Sequence, residues 1–161
     1  MGIVDMCYWA KPKDGCWAGP VMKSGRVFES ILVKYKRAWE RRDPRLAMEL
    51  FTPDATYRED PFGRRPMRGL GEIRDYWAKV PRFQKNIRFT HGPVFRLGQS
   101  RVWGAEWSAR YTKVQTGESI RLRGVMFCEL RRDKIRRFWE YWHVRGGKPS
   151  FRAKTLKNMS G

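Results

Sequence analysis

The chain is short of the residues that most often build metal sites and disulfides. It holds two histidines and three cysteines (Cys7, Cys16 and Cys128) scattered over 161 residues, too few and too far apart for a disulfide framework or a zinc site. No Cys/His/Asp cluster has ligand spacing, no glycine-rich phosphate loop occurs and no Ser-His-Asp order is suggested. Metal ligands are therefore none, and no cofactor is expected. No apolar run approaches the roughly 18 residues that span a bilayer. The opening MGIVDMCYWAKPKDG lacks the basic, apolar and small-residue order of a secretory signal, so a soluble, cytoplasmic protein is expected. Acidic residues are also scarce.

What is present is aromatic and basic. Hydrophobic residues make up 41% and aromatics 14%, including eight tryptophans, enough to fill the core of one domain without help from cross-links. Lys plus Arg number 35 against 16 Asp plus Glu, a net charge of +19. The excess is uneven: residues 1–80 carry 16 basic and 11 acidic groups, residues 81–161 carry 19 and 5. A field of that sign favours polyanions, whether nucleic acid or an anionic surface.

The chain divides into an irregular arm (1–23), a domain (24–144) and a basic tail (145–161). The arm has no periodic apolar pattern, and its Tyr8, Trp9 and Trp17 could dock on the body. From Ser24 to Arg42, Val27, Ile31, Tyr35 and Trp39 recur at four-residue intervals beside Phe28 and Leu32, which predicts an amphipathic helix. Asp43-Pro44 then sets an N-cap and a proline at the first turn of a short helix. Thr52-Pro53-Asp54 ends it, Ala55 to Arg58 reads as a strand, and a third helix is expected over Leu70 to Lys79. Beyond Ile87 the period becomes two. Strands are predicted at 86–97, 101–114, 119–130 and 134–144, with a bend or bulge at Thr90-His91-Gly92-Pro93.

With Gln115-Thr116-Gly117-Glu118 as the turn, residue 111 faces 122, 109 faces 124, 107 faces 126, 105 faces 128 and 103 faces 130. One face of that hairpin is then apolar, from Tyr111 and Leu122 to Trp103 and Leu130. The other carries Glu106, Arg110, Arg121, Arg123 and Glu129. Such segregation belongs to a half-buried antiparallel sheet. Helices followed by a curled antiparallel sheet give an α+β layer arrangement with a conical hollow.

The run YKRAWERRDPRLAMELFTPDATYREDPF (35–62) resembles the opening of SnoaL-like, NTF2-like domains, and RGLGEIRDYW, WGAEWSARYT, LRGVMFCEL and KIRRFWEYWH keep that family's order and spacing. The resemblance spans about residues 26–144 and implies an NTF2-like cone. It implies no single reaction, since the superfamily holds isomerases, cyclases, dehydratases, hydrolases and non-enzymes. By comparison with ketosteroid isomerases, Tyr35 matches an oxyanion-hole tyrosine and Asp60, before Pro61, matches the general base. The second acid falls near Val125 or Met126, which cannot donate a proton, and the segment Tyr57-Arg58-Glu59-Asp60 is one residue longer than the isomerase pattern. Both departures argue against steroid isomerisation.

Asp60 can be read as a pocket acid or base, or as a turn aspartate accepting backbone N–H bonds. Tyr35 is either a pocket hydroxyl or a core tyrosine. Glu140, flanked by Phe138 and Trp142 on one face of FWEYWH, is a general acid or base if that face is inward. The alternative is a salt bridge to an arginine. Trp39, Tyr57, Phe62, Trp77, Trp103 and Trp107 would form an aromatic ligand wall, joined by Met126, Phe138 and Trp142, although the same residues would fill a ligand-free core. His91 and His143 read as structural.

Two functions follow. One is a pocket of a few hundred cubic ångströms for a hydrophobic small molecule, with Asp60 and Glu140 doing acid/base work. The alternative is a non-enzymatic basic module for nucleic acid, an anionic surface or a protein assembly, resting on Arg131 to Arg137 and Arg145 to Lys157. The family resemblance adds a homodimer formed through the outer sheet face.

Overall fold

A computed structural model describes residues 20–59 and 65–146, with side chains from residue 25 onward. The long helix α1 (Pro20–Arg41) opens four residues before Ser24; proline at its first position has a preset φ and no N–H to leave unpaired. Its stripe is buried as the four-residue spacing requires: Phe28, Ile31, Leu32, Tyr35, Ala38 and Trp39 all face the core. Asp43 caps α2 (Pro44–Met48), its carboxylate accepting the Arg45 N–H at 2.9 Å. Strand β1 (Phe51–Arg58) starts earlier than Ala55, because a register shift between Phe51 and Thr56 takes up exposed Pro53 without needing its missing N–H.

A two-residue strand β2 (Met67–Arg68) leads into α3 (Gly69–Trp77), and α4 (Val80–Phe83) is a single further turn. Neither β2 nor α4 has enough residues to leave a periodic signal. The remaining strands are β3 (Gln84–Arg96), β4 (Val102–Lys113), β5 (Ser119–Arg131) and β6 (Lys134–Arg145). Their order across one curved, unclosed sheet is β2-β1-β6-β5-β4-β3. The sheet is mixed, not purely antiparallel, since β1 runs parallel to β6. The helices lie on one face, giving the α+β cone. The bulge expected near His91 falls between His91 and Val94.

The β4–β5 hairpin corrects the expected register by two residues. Tyr111 pairs with Ile120, Ala109 with Leu122, Trp107 with Gly124, Ala105 with Met126 and Trp103 with Cys128. The cause is the turn. The Lys113 N–H donates to the Glu118 carbonyl, the Gly117 N–H to the Lys113 carbonyl, and Gly117 has φ 71°. The loop is thus 114–117, with glycine at its last, left-handed position. A slip of two keeps every side chain on its face. Trp107 and Met126 are buried together, while Glu106, Arg110, Arg121 and Arg123 face water.

Tyr8, Trp9, Trp17, Asp60, Phe62 and the segment Lys148 to Gly161 lie outside the described residues. Among those described, no helix is long and apolar enough to cross a membrane.

Candidate functional site

The hollow between the helices and the inner sheet face holds a cavity with about 40 Å³ of room for water-sized occupants, or about 540 Å³ of empty space when its open mouth is counted. The cavity takes on the order of three waters, far below the few hundred cubic ångströms expected. Aromatic side chains occupy the difference. Tyr35 and Trp39 enter from α1, Tyr57 from β1, Tyr76 and Trp77 from α3, and Trp107 and Tyr111 from β4. Val80, Gln84, Leu122, Trp142 and two carboxylates, Glu59 and Glu140, complete the wall.

Strand alternation explains why Glu140 is there. Phe138, Glu140 and Trp142 alternate inward on β6, while Trp139, Tyr141 and His143 turn outward. Glu140 is 6% exposed and forms no ion pair or hydrogen bond with another described residue. The salt bridge to an arginine does not form. Burial first, and the charge of Glu59 second, push its carboxyl far above the ordinary 4.5. Leaving a neutral carboxyl without a partner costs about 1–3 kcal/mol. An unpaired carboxylate in the same place costs several kcal/mol. The proton stays.

Around it stand three phenols. Tyr35 (4% exposed) and Tyr57 bring their hydroxyls to 3.5 Å of each other. Both rings stack on Phe138, with centroids 5.8 and 4.4 Å away. The Tyr76 hydroxyl donates to the Glu59 carboxylate. Burial raises all three phenols well above 10, so they remain donors. The Trp39 Nε1–H is committed to Gln84 Oε1 at 2.8 Å. In contrast, the buried indole N–H groups of Trp77 and Trp107 have no hydrogen-bond partner among the described residues. The site therefore offers a neutral acid, a carboxylate held by a phenol, and two uncommitted indole donors within an apolar wall.

Of the residues singled out from the sequence, Tyr35, Trp39, Tyr57, Trp77, Trp107, Glu140 and Trp142 border the cavity. Trp103, Met126 and Phe138 do not. Trp103 packs on Phe28 with centroids 6.3 Å apart and lies 3.4 Å from where a Cβ on Gly25 would sit. Met126 is fully buried, and Phe138 is covered by the Tyr35 and Tyr57 rings. The proposed base Asp60 and the wall residue Phe62 lie outside the described residues. The second carboxylate that the cavity does contain is Glu59, which is not among the site residues expected from the sequence; nor are Tyr76, Val80, Gln84, Tyr111 and Leu122, although Tyr111 and Leu122 belong to the expected apolar sheet face. A signal for Glu59 existed: counting two onward from inward Tyr57 lands on it. Among the described residues, no three His, Cys, Asp or Glu side chains group in a way that could hold a metal ion.

A family model described as "SnoaL-like domain" matches residues 32–138. No curated protein matches the chain. Among solved structures, a Bacillus subtilis protein provisionally named an isomerase is 22% identical, with TM-score 0.66 over 76% of this chain and 88% of that one. The epoxide hydrolase/cyclase-like enzyme SalBIII, with a role in pyran ring formation in the polyether salinomycin, is 19% identical, with TM-score 0.65 over 80% and 98%. A protein of ketosteroid isomerase-like fold from Catenulispora acidiphila, solved with trimethylamine, is 20% identical, with TM-score 0.60 over 69% and 83%.

Proposed function

The chain belongs to the SnoaL-like domain family, and from that premise we propose that it binds a hydrophobic small molecule and moves protons on it with its own side chains. The observation that carries this reading is Glu140, a carboxyl without a partner among the described residues, in an apolar cavity beside a second carboxylate. A buried, neutral carboxyl can donate a hydrogen bond or a proton to an oxygen that gains negative charge during reaction. Glu59 is the complementary proton acceptor, and its bond from Tyr76 fixes where it points. Tyr35 and Tyr57 supply further donors to the same cavity. Ring-rich walls suit a cyclic compound carrying a carbonyl or hydroxyl group.

The reacting end of such a molecule would enter this small cavity, with the remainder in its mouth. Isomerisation, dehydration and ring closure all use this pairing of one acid with one base. Such chemistry needs Glu140 protonated, so activity declines on the alkaline side as that proton is lost. The test is a titration with 2-naphthol and 2-tetralone followed by ¹H–¹⁵N NMR of the tryptophan indoles. Saturable shifts of the Trp77 and Trp107 signals, lost in Trp107→Phe for its own signal and weakened in Glu140→Gln, are expected. Shifts confined to tryptophans that do not line the cavity would overturn the proposal.

A further inference from the structure

The sheet face opposite the helices holds a row of arginines that no acid among the described residues answers. Arg88 pairs with Arg110, Arg110 with Arg121 and Arg121 with Arg145, so four guanidinium side chains stand in register across β3, β4, β5 and β6. All four are exposed. None forms an ion pair among the described residues, whereas Arg131 is paired with Asp54 at 2.6 Å, and Arg136 and Arg137 share Glu129. The basic run that stands out in the sequence, Arg131 to Arg137, is thus partly neutralised within the fold. The uncompensated positive charge is on the cross-strand row, which no linear motif reveals. Like charges directly opposite on neighbouring strands repel. An anion laid across them removes that repulsion.

The next row adds Arg123 opposite His143. Farther along the same face the chemistry changes to rings. Phe127 stacks on Trp139 (5.6 Å, 17°) and meets Tyr141 edge-on at 6.5 Å. Tyr141 is 51% exposed and Phe95, at the far edge, 41%. We propose that this outer face binds a single-stranded nucleic acid, with phosphates along the arginine row and bases on the rings of Phe127, Trp139 and Tyr141. The dimensions fit. Four strands at about 4.8 Å make a row roughly 14 Å long, room for about four phosphates at ~3.4 Å each. From Arg123 to Phe127, along β5 and at right angles to that row, is four strand residues, about 13 Å, the length of a further four stacked nucleotides once the strand turns.

Flat rings suit bases, which present a π face whatever their sequence. Acyl chains would call for long aliphatic side chains there instead. A second copy of this chain fits less well. Twofold pairing about an axis along the strands sets arginine row against arginine row, and the acids nearest are Glu106 and Glu129, the latter already engaged.

The test uses the full chain and fluorescence anisotropy with labelled U and dT oligomers of about 12 nucleotides, with vesicles containing phosphatidylserine as a parallel probe. With four phosphate contacts on a single strand, affinity should fall about 50-fold between 50 and 200 mM salt. Arg110→Gln/Arg121→Gln should weaken binding and reduce that fall to about 7-fold. Tyr141→Ala, at an exposed position that folding tolerates, should weaken binding about 5-fold or more with the salt dependence intact. Arg131→Gln, which removes an arginine already paired with Asp54, should leave binding as it is. Absence of binding at 50 mM salt, or an unchanged salt dependence in the double variant, would overturn the proposal. So would binding to vesicles but not oligomers, or a dimer in light scattering that the same double variant converts to monomer.

Discussion

Replacing Glu140 with glutamine keeps the size and shape of the side chain and removes the titrating proton. Because the folded-state pKa lies well above the ordinary 4.5, the folded protein holds a proton that the unfolded chain gives up. A group raised in this way contributes its full stability below about 4.5 and loses it as pH climbs through the folded-state value. The loss is about 1.4 kcal/mol for each pH unit within that window. For a domain of this size 1 kcal/mol is worth about 2–4 °C in Tm. Wild type should therefore fall behind Glu140→Gln by roughly 3–6 °C per pH unit as pH rises from 5. At low pH the order reverses, because the amide carries two N–H donors where the acid carries one O–H, and a buried donor left unpaired costs about 1–3 kcal/mol. Thermal unfolding by circular dichroism between about pH 5 and 8 reads both limbs. Parallel Tm curves for the two proteins, or a wild type that gains on the variant with rising pH, would refute the assignment of a buried, neutral Glu140.

Other perturbations have expected sizes. Phe138→Ala removes the ring on which Tyr35 and Tyr57 stack and should cost about 3–5 kcal/mol in guanidinium unfolding. Gly124→Ala should be worse than Gly104→Ala. The new methyl would lie 2.1 Å from the Tyr141 carbonyl at the first site, but chiefly against the movable Phe95 ring at the second. Expression and urea midpoints of the pair would show it, with Gly104→Ala costing about 1–3 kcal/mol. Gly117→Ala meets open space but keeps φ 71°, so the loss should be only about 1–2 kcal/mol. If a turnover is found, Glu140→Gln should lower it about 10²–10⁴-fold, and wild-type activity should decline as pH rises.

The fold was legible because its largest elements repeat a period. Val27 to Trp39 marks a helix by fours, and the inward residues of β4 to β6 mark strands by twos. Those signals are indifferent to a two-residue slip, and so they placed Trp107 and Met126 on one face while misjudging their partners. The turn glycine decides register, and only its φ distinguishes position 117 as the last loop residue from the third. The cavity was less legible for a related reason. Inward direction does not say how deep a residue lies, and Trp103, Met126 and Phe138 face inward without reaching the hollow. Glu59 sits past the end of β1, where it competes with Asp60 for attention. Its place depends on Tyr76, brought in by α3 from 17 residues away. The arginine row is the extreme case, since its members are 11 to 24 residues apart in sequence and become neighbours only through pairing.

Infrared spectroscopy of the protein in D₂O tests the central claim without a substrate. A protonated carboxyl has its own C=O stretch, separate from that of carboxylates and amides. Near neutral pH, wild type should keep one such band, and Glu140→Gln should lack it. A neutral-pH spectrum of wild type without a protonated carboxyl band, or one that the substitution leaves in place, would contradict the account.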